Sequence, residues 1–240
     1  MKLKQYIGRH RTNLVTYGVV ILGFVIMQML SASHMLSSSV EGFLVPICAY
    51  VVLAVSLNLV VGISGELSLG HAGFMGVGAF TGIIVAALLK TVIASKVLLL
   101  IVAIVCGGVM AGLFGVVIGL PVMRLRGDYL AIVTLAFGEI LKNLINNMYV
   151  GSDANGVHFV IGTEKPLLAD GGSMIINGPM GATGVAKLAT FPIGFALILV
   201  TLFVVLNLIN SKEGRAIKAV RDNRIAAESV GINVTAFRLK

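Results

Sequence analysis

The sequence carries very little charge for its length. Only 12% of its 240 residues are Asp, Glu, Lys or Arg, about half the share in an average globular protein, whereas 58% are hydrophobic. The mean hydropathy is +1.02. A soluble domain of this size cannot bury so much apolar surface. The composition therefore argues against a water-soluble enzyme.

The chain also lacks the motifs of catalysis and of metal binding. Its two cysteines, Cys48 and Cys106, lie inside apolar blocks, which favours small buried hydrophobes over a disulfide or a metal pair. No stretch reads G-x-x-x-x-G-K-[ST], so the chain has no ATP-binding loop of its own. No Ser/His/Asp or Cys/His arrangement is present. We predict no catalytic residue, no metal and no cofactor.

Apolar residues are abundant instead, in uncharged blocks of roughly 18 to 27 residues, the length that crosses a bilayer. The 29 glycines suit helices that pack closely in lipid. We predict an all-α, polytopic integral membrane helical bundle with six spans. The spans are about 13–30, 40–62, 72–89, 97–123, 129–150 and 191–210. The predicted organisation is a membrane domain 1–210, which includes a Gly-rich outer loop 151–190, followed by a charged cytoplasmic segment 211–240.

Positive charges are distributed unevenly among the segments that join the spans. If the N-terminus is inside, the inner segments hold 13 Lys and Arg residues and the outer segments hold 4. Lys and Arg concentrate in cytoplasmic segments. This asymmetry predicts that both ends of the chain are cytoplasmic. It also accounts for the formal net charge of +8 without a nucleic-acid partner.

A Gly- and Ser-rich stretch, Gly62–His71, follows the second span. It permits two interpretations. In an inner loop, Glu66 and His71 are solvated. In a helix broken within the membrane near 62–73, exposed backbone groups and the hydroxyls of Ser64 and Ser68 contact a substrate.

The fifth span contains an ionisable residue, Glu139, near its middle. Asp128, Asn143 and Asn146 share its helical stripe, and Lys142 flanks it. A carboxylate at this depth costs about 3 kcal/mol on insertion scales and usually faces the bundle interior or a water-filled path. The stripe is either the lining of a translocation path or a local Glu139–Lys142 ion pair with hydrogen bonds between helices.

The fourth span carries glycines that lie on one face of a helix. Their spacing forms two overlapping G-x-x-x-G units, which let another helix approach closely. This pattern predicts helix packing and says nothing about transport. The glycines are Gly108, Gly112, Gly115 and Gly119.

The segment 211–240 combines regularly spaced basic residues with apolar residues such as Ile217 and Val220. One interpretation is a solvated helix beside the membrane, attracted to anionic lipid. The other is a docking helix for a cytoplasmic partner.

The docking interpretation is strengthened by a resemblance. Ala226–Gly231 reads Ala-Ala-Glu-Ser-Val-Gly, with the A-A-x-x-x-G spacing of the EAA loop of ABC importer permeases, in which a short cytoplasmic helix fits a groove on the ATPase. Ile225 stands where that motif has its leading Glu. Longer stretches make the likeness specific, and the pattern resembles branched-chain amino acid permeases of the LivM type over about 45–240. These stretches are Leu57–Phe80, Arg126–Ile140, Gly214–Arg221 and Ala226–Val234.

The resemblance implies a permease subunit of an ATP-binding-cassette importer in a bacterial or archaeal cytoplasmic membrane. A binding protein outside the cell would deliver a branched-chain or related small amino acid. A second permease subunit would complete the path, and two cytoplasmic ATPase subunits would power it. Urea and short-amide permeases resemble the same pattern, and an ion-coupled secondary transporter that uses Glu139 and Lys142 is the alternative from a different class.

The expected functional residues fall into two groups. The substrate pathway would be lined by Ser64, Gly65, Glu66, Ser68, Gly70, His71, Asp128, Thr134, Glu139 and Asn143. Coupling to the ATPase would use Gly214, Arg215, Arg221, Ala226, Ala227, Glu228 and Gly231.

Two departures from the family pattern accompany the resemblance. Asn177–Gly184 resembles the short Gly-rich outer loop of the family, and residues 151–176 form an extra segment before it. That segment is expected to alter docking of the binding protein. Family members also continue with further spans after the coupling segment, so we expect more chain after Lys240.

Overall fold

The computed structural model describes residues 2–234, with the following residues left out: 34, 91, 123–124, 126–127, 154–155, 163–164, 167, 169–171, 184, 186 and 233. For residues 2–12 and 128 it describes the backbone alone. The helices are α1 Lys2–Ala32, α2 Ser38–Asn58, α3 His71–Leu89, α4 Lys96–Val122, α5 Asp128–Asn146, α6 Phe191–Asn210, α7 Lys212–Asp222 and α8 Arg224–Ser229. The strands are β1 Met148–Asp153, β2 Gly156–Ile161 and β3 Ser173–Asn177.

Within the described residues, six helical segments are long and apolar enough to cross a membrane, which confirms the predicted all-α membrane bundle with six spans. They are Asn13–Ala32, Ser38–Ser64, His71–Leu89, Lys96–Val122, Tyr129–Asn146 and Phe191–Asn210. Their outward sides carry many exposed aliphatic residues, as surfaces that face lipid or another helix do.

The helices are interrupted at Gly62–His71, the stretch for which the sequence permits an inner loop or a break within the membrane, and we call this interruption the break. α2 passes into a π-helical turn, Leu59–Ser64, and the chain is then non-helical until α3 begins at His71. Gly65 has a φ of 73°, a backbone conformation that favours glycine. The break thus joins two spans and does not change their number.

The expected end of the fifth span was wrong, and the expected loop contains a sheet. α5 ends at Asn146, where the amide of Asn147 bonds the carbonyls of both Asn143 and Leu144 and so tightens the last turn. Three antiparallel strands follow in the order β2-β1-β3. The apolar pair Tyr149 and Val150, which reads as the end of a span, belongs to the central strand of this sheet.

The chain divides into two compact units. The first comprises Met1–Leu59 and Ala189–Ala219. In this unit, Phe24 of α1 stacks on Phe195 of α6 with ring centroids 4.0 Å apart, and Gly194 of α6 lies against the buried Cys48 of α2. α6 therefore packs on α1 through stacked aromatic rings and on α2 through a glycine.

The second unit comprises Val60–Leu188 and Val220–Lys240, and α3 is its central helix. The contacts of α3 with α4 run in opposite directions, from Gly78 against Gly107 to Gly82 against Ala103, so these two helices are antiparallel. Its contacts with α5 run in the same direction, so these two helices are parallel. Gly70, just before α3, contacts Thr134, and within α3 Gly73 contacts Gly138 and Gly76 contacts Ile145.

The sheet packs on the C-terminal half of α3. Val150 and Ile176 are the largest fully buried side chains of the described chain, and they form a cluster with α3 residues that include Phe80 and Ile84. The sheet thus lies at the end of the second unit where α3 and α5 both finish.

Candidate functional site

An open cavity of about 460 Å³ lies in the second unit between α3, α5 and the turn that follows β3. Gly73 and Gly76 of α3 and Gly138 of α5 line it, and their lack of side chains lets the two helices approach closely at its wall. The remaining lining residues are Leu69, Ala72, Phe80, Leu135, Glu139, Lys142, Ile145, Asn146, Gly178, Pro179 and Gly181.

Two opposite charges face this cavity. The ammonium nitrogen of Lys142 lies 3.2 Å from Oε2 of Glu139, and the two residues are one helical turn apart on α5. Their side chains are 64% and 57% exposed in the single chain. Each charge therefore keeps surface that a small polar molecule could contact, while the pair as a whole is neutral at a depth where a lone charge is costly.

The break between α2 and α3 reaches the cavity through Leu69. The backbone amide of Leu69 donates to Oγ1 of Thr134, at 3.1 Å, and the hydroxyl of Thr134 donates to the carbonyl of Ala131, at 3.0 Å. Gly70 packs so closely on the carbonyl of Thr134 that any side chain at residue 70 would collide with it. The end of the break is thus fixed to α5, five residues before Glu139.

The predicted pathway residues lie in different parts of this arrangement. Of the ten, Glu139 is the one that lines the cavity in the described structure, and Thr134 supports its wall. Asn143 is exposed elsewhere on α5, and the side chain of Asp128 lies outside the described residues. Six further residues lie in the break or beside it, outside the lining, namely Ser64, Gly65, Glu66, Ser68, Gly70 and His71.

Sequence reasoning missed most of the cavity wall. Leu69, Ala72 and Gly73 are the residues around the break that reach it, and Lys142 faces it beside Glu139. The spacing of Gly73 and Gly76, one helical turn apart, could have indicated the close approach of another helix. The turn Gly178–Gly181 carries no comparable local signal.

The segment after the sixth span begins with a tight corner between α6 and α7. Ser211 caps α7, because its hydroxyl accepts from the amide of Gly214 at 3.1 Å and donates to the carbonyl of Leu208 at 2.7 Å. Any side chain at residue 214 would collide with the carbonyl of Leu208, so glycine is required there. Arg215 donates to the carbonyl of Asn210, at 3.2 Å.

The short helix α8 ends in a Schellman motif. The amide of Gly231 bonds the carbonyl of Glu228 at 3.0 Å, and the amide of Ile232 bonds the carbonyl of Ala227 at 3.1 Å. Gly231 has a φ of 84°. These contacts satisfy the last carbonyl groups of α8 and end the helix at a glycine with a left-handed backbone conformation.

α8 presents apolar residues to its surroundings. Ile225 is 80% exposed and Val230 is 75% exposed, and Ala226 is exposed as well, whereas Ala227 is 3% exposed. Of the two alanines expected to contact an ATPase, Ala226 is therefore accessible and Ala227 packs within the chain. Glu228 pairs with Arg224 at 3.0 Å.

Arg221, at the end of α7, turns back toward the break. Its Nη1 donates to the carbonyl of Gly62 at 3.1 Å, and its Nη2 lies 2.9 Å from the carboxylate of Asp222. A Cβ on Gly65 would lie 2.6 Å from Cγ of Arg221, so the side-chain stem rests directly on that glycine.

The glycine face of α4 is uncovered within the described chain. A Cβ on Gly108, Gly112 or Gly115 would meet no atom within 4 Å, and Gly119 is half-buried. The close contact with α3 uses the neighbouring Gly107 instead. The prediction that another helix packs on this face stays a prediction.

Residues 39–240 match the family described as "Branched-chain amino acid transport system / permease component". The chain is 35% identical over 203 residues to the high-affinity branched-chain amino acid transport system permease protein LivM of Escherichia coli K12. It is 34% identical over 203 residues to the protein of the same name from Salmonella typhimurium LT2. Each alignment covers 79% of this chain and 45% of the relative, so the chain spans less than half the length of both. No solved structure gives a significant match.

The family match covers most of the chain and all but the first of the six spans, and both relatives exceed 30% identity. The chain therefore belongs to the family of permease components of branched-chain amino acid transport systems.

Proposed function

We propose that the chain is part of the transmembrane permease of an ATP-binding-cassette importer for branched-chain or related small amino acids. The observation that carries this proposal is the cavity beside α5, in which an uncharged, glycine-lined wall surrounds one carboxylate and one ammonium group. The names of both relatives, each a branched-chain amino acid permease, support the choice of substrate.

The cavity suits an amino acid because it offers both charges and an apolar surface. The ammonium group of a zwitterion would face Glu139, and its carboxylate would face Lys142. Its aliphatic side chain would lie against Leu69, Leu135 or Ile145. The zwitterion replaces the internal ion pair with two external ones, so no charge is left unpaired in the membrane.

The break supplies the flexible element of the path. Its glycines and the hydroxyls of Ser64 and Ser68 lie where the helix is interrupted, the position at which transporters expose backbone groups to substrates. We assign Gly65, Glu66, Gly70 and His71 to the same segment. Asp128 and Asn143 would belong to the approach to the cavity along α5.

The proposed orientation follows the Lys and Arg asymmetry, with both ends of the chain in the cytoplasm. The sheet would then face outward and meet the binding protein, and the extra segment 151–176 would form part of that contact. One of the two ATPase subunits would dock on the segment 211–240 through its exposed apolar residues. A second permease subunit would complete the path within the bilayer.

The proposal is tested by uptake of radiolabelled leucine into proteoliposomes that contain the full-length permease with its second permease subunit, ATPases and binding protein. Uptake should require internal ATP and should stop when the ATP-binding loop Lys of the ATPase is replaced by Ala. Unlabelled isoleucine and valine should compete, whereas urea and acetamide should not. Competition by urea instead of valine would assign the chain to the urea and short-amide branch.

An ion-coupled secondary transporter is the second candidate, favoured only by the intramembrane pair Glu139 and Lys142. It predicts uptake without ATPase subunits, driven by an imposed proton or sodium gradient. Such uptake by the permease alone would overturn the proposed function.

A further inference from the structure

The structure joins two segments that lie 159 residues apart in the sequence. Arg221, in the last turn of α7, donates from Nη1 to the carbonyl of Gly62 in the π-helical turn. Carbonyl groups at the end of an interrupted helix lack partners within the helix, and a guanidinium is a strong donor for them. The segment proposed to bind the ATPase therefore contacts the segment proposed to line the path.

The contact is closely fitted as well as hydrogen-bonded. The stem of Arg221 lies on Gly65, where a Cβ would approach Cγ of Arg221 to 2.6 Å. Gly65 also has the positive φ of 73° that glycine tolerates best. Residue 65 is therefore required to be glycine for two reasons: its backbone conformation and the close packing of the Arg221 side chain on it.

The opposite end of the break is attached to the cavity wall. The amide of Leu69 bonds Thr134, and Gly70 packs on the carbonyl of the same residue. Thr134 and Glu139 share α5, about 7.5 Å apart along the helix axis at 1.5 Å per residue. The break is thus held between Arg221 at one end and the helix that carries the cavity charges at the other.

We propose that Arg221 is a positioning residue that ties the break to the coupling segment, so that movement of α7 and α8 reaches the cavity through Gly62–Gly70. The inference rests on the proposed function. A π-helical turn next to a glycine-rich break is a local structure that rearranges easily and is frequently found at functional sites. Release of the Arg221 contact would free one end of the break while Thr134 retains the other.

The hydrogen bonds of Arg221 favour this internal role over a contact with the ATPase. Three of its five N–H groups are used within the chain, one by Gly62 and two by Asp222. The side chain of Arg221 is 39% exposed, whereas those of Ile225 and Val230, in and just after α8, are exposed by 80% and 75%. We thus assign the contact with the ATPase to Ile225 and Val230 and the contact with the break to Arg221.

The test uses the reconstituted full-length transporter with Arg221→Gln, Arg221→Lys and the control Lys218→Gln, which also removes one positive charge from α7. We expect the complex with Arg221→Gln to keep its ATPase subunits but to lower leucine uptake per ATP hydrolysed roughly tenfold, a typical coupling effect. Arg221→Lys should recover part of this loss. Lys218→Gln should behave as wild type.

A second readout follows the break itself. A single cysteine at Ser68, in a background without Cys48 and Cys106, should react with a small thiol reagent at a rate that changes when ATP and vanadate trap the transporter. In Arg221→Gln this dependence on the ATPase state should disappear. Gly65→Ala should have the same effect through the same contact, provided that the purified complex unfolds at the wild-type temperature.

The proposed role of Arg221 would be wrong if Arg221→Gln kept the wild-type ratio of uptake to ATP hydrolysis and the wild-type change in cysteine reactivity on trapping. Loss of ATPase binding in Arg221→Gln would also overturn it, because the residue would then be a docking contact. Both results presuppose ATP-driven uptake by the wild-type complex. Absence of that uptake would contradict the proposed function itself, whatever the Arg221 variants do.

Discussion

Glu139 and Lys142 illustrate how a single residue pair makes charge tolerable within a membrane span. Placed separately in α5, each would cost about 2.5–3.5 kcal/mol on insertion scales. One helical turn apart, they neutralise each other, and their side chains are more than half exposed and help to line an open cavity. A local ion pair and a substrate site, which the sequence left as alternatives, are therefore compatible in the same two residues.

We expect Glu139→Gln and Lys142→Gln each to lower leucine uptake roughly tenfold or more, equivalent to about 1.4 kcal/mol. In each variant one charged group of the amino acid substrate has no opposite charge to bind. The charged side chain that remains on α5 also lacks its ion-pair partner. The measurement is the concentration dependence of uptake alongside the amount of protein in the membrane. Glu41→Gln, in the first turn of α2, is the control for removal of a carboxylate elsewhere. Wild-type uptake and expression in both cavity variants would show that the pair is only a local ion pair.

Adjacent glycines in α4 provide a matched comparison of packed and open positions. A Cβ at Gly107 would collide with the carbonyl of Gly78, whereas one at Gly108 would meet nothing within 4 Å in this chain. Gly107→Val should therefore destabilise the α3–α4 contact by roughly 1–3 kcal/mol, as overpacking does in other tight contacts.

Gly108→Val should leave the chain itself stable and instead weaken its association with the second permease subunit. Thermal unfolding of the purified subunit and co-purification of its partner separate the two effects. Equal stability of both variants would contradict the α3–α4 contact. Normal subunit assembly with Gly108→Val would remove the glycine face as a subunit interface.

At the scale of elements, α8 separates the residues that build the helix from those available to a partner. Ala227 is buried within the chain, so a bulky residue there would disrupt the segment itself and would not test a groove on the ATPase. Ile225 and Val230 project outward, and we assign the ATPase contact to them together with Ala226.

We expect Ile225→Asp to abolish or strongly weaken ATPase binding, because a carboxylate would be desolvated in an apolar groove. Co-purification of the ATPase with the full-length permease measures this directly. Lys212→Gln, at the opposite end of the segment, should bind the ATPase normally. Undiminished binding by Ile225→Asp would favour a solvated helix attracted to lipid headgroups.

The helix stop at Gly231 gives a second prediction for this element. Gly231→Val should uncouple ATP hydrolysis from uptake, because valine is strained at a φ of 84° and the two capping hydrogen bonds would be lost. No atom lies within 4 Å of a Cβ at this position, so strain and not crowding is the expected cause. Gly231→Asn, which tolerates this backbone conformation better, should keep more of the coupling; equal loss in both variants would contradict the strain argument.

The elements also show what the sequence could and could not predict. Long uncharged runs set the spans, since the signal lies within each helix, and the break at Gly62–His71 was visible in its glycines. The third strand was missed because it pairs Asn177 with Tyr149 of the central strand, a contact between distant residues that no local pattern reveals, whereas the pairing of β1 with β2 is local. The cavity was missed for the same reason, because its wall forms where Gly73 of α3 meets Gly138 of α5.

At the scale of the whole molecule, the six spans place successive connecting segments on alternate sides of the membrane. The Lys and Arg asymmetry predicts which of these segments are cytoplasmic. We expect single cysteines at Ser37 and Thr183 to react with an impermeant thiol reagent applied outside intact cells. Cysteines at Asn13 and Ser229 should react only after the membrane is opened. The native Cys48 and Cys106 are replaced first, and the parent without cysteines serves as the control. The reverse labelling pattern would invert the proposed orientation and place the sheet in the cytoplasm.

The attachment of the break at both ends has a consequence for how homologous chains can diverge. Between the carbonyl of Gly62 and the amide of Leu69 there are seven residue steps, which reach at most about 25 Å when fully extended. One added or missing residue would shift either the seat of Arg221 or the hydrogen bond to Thr134 out of register. Insertions and deletions should therefore be absent from this interval in functional homologues, even where its side chains differ. The length of this segment should thus vary less among homologues than its amino-acid composition.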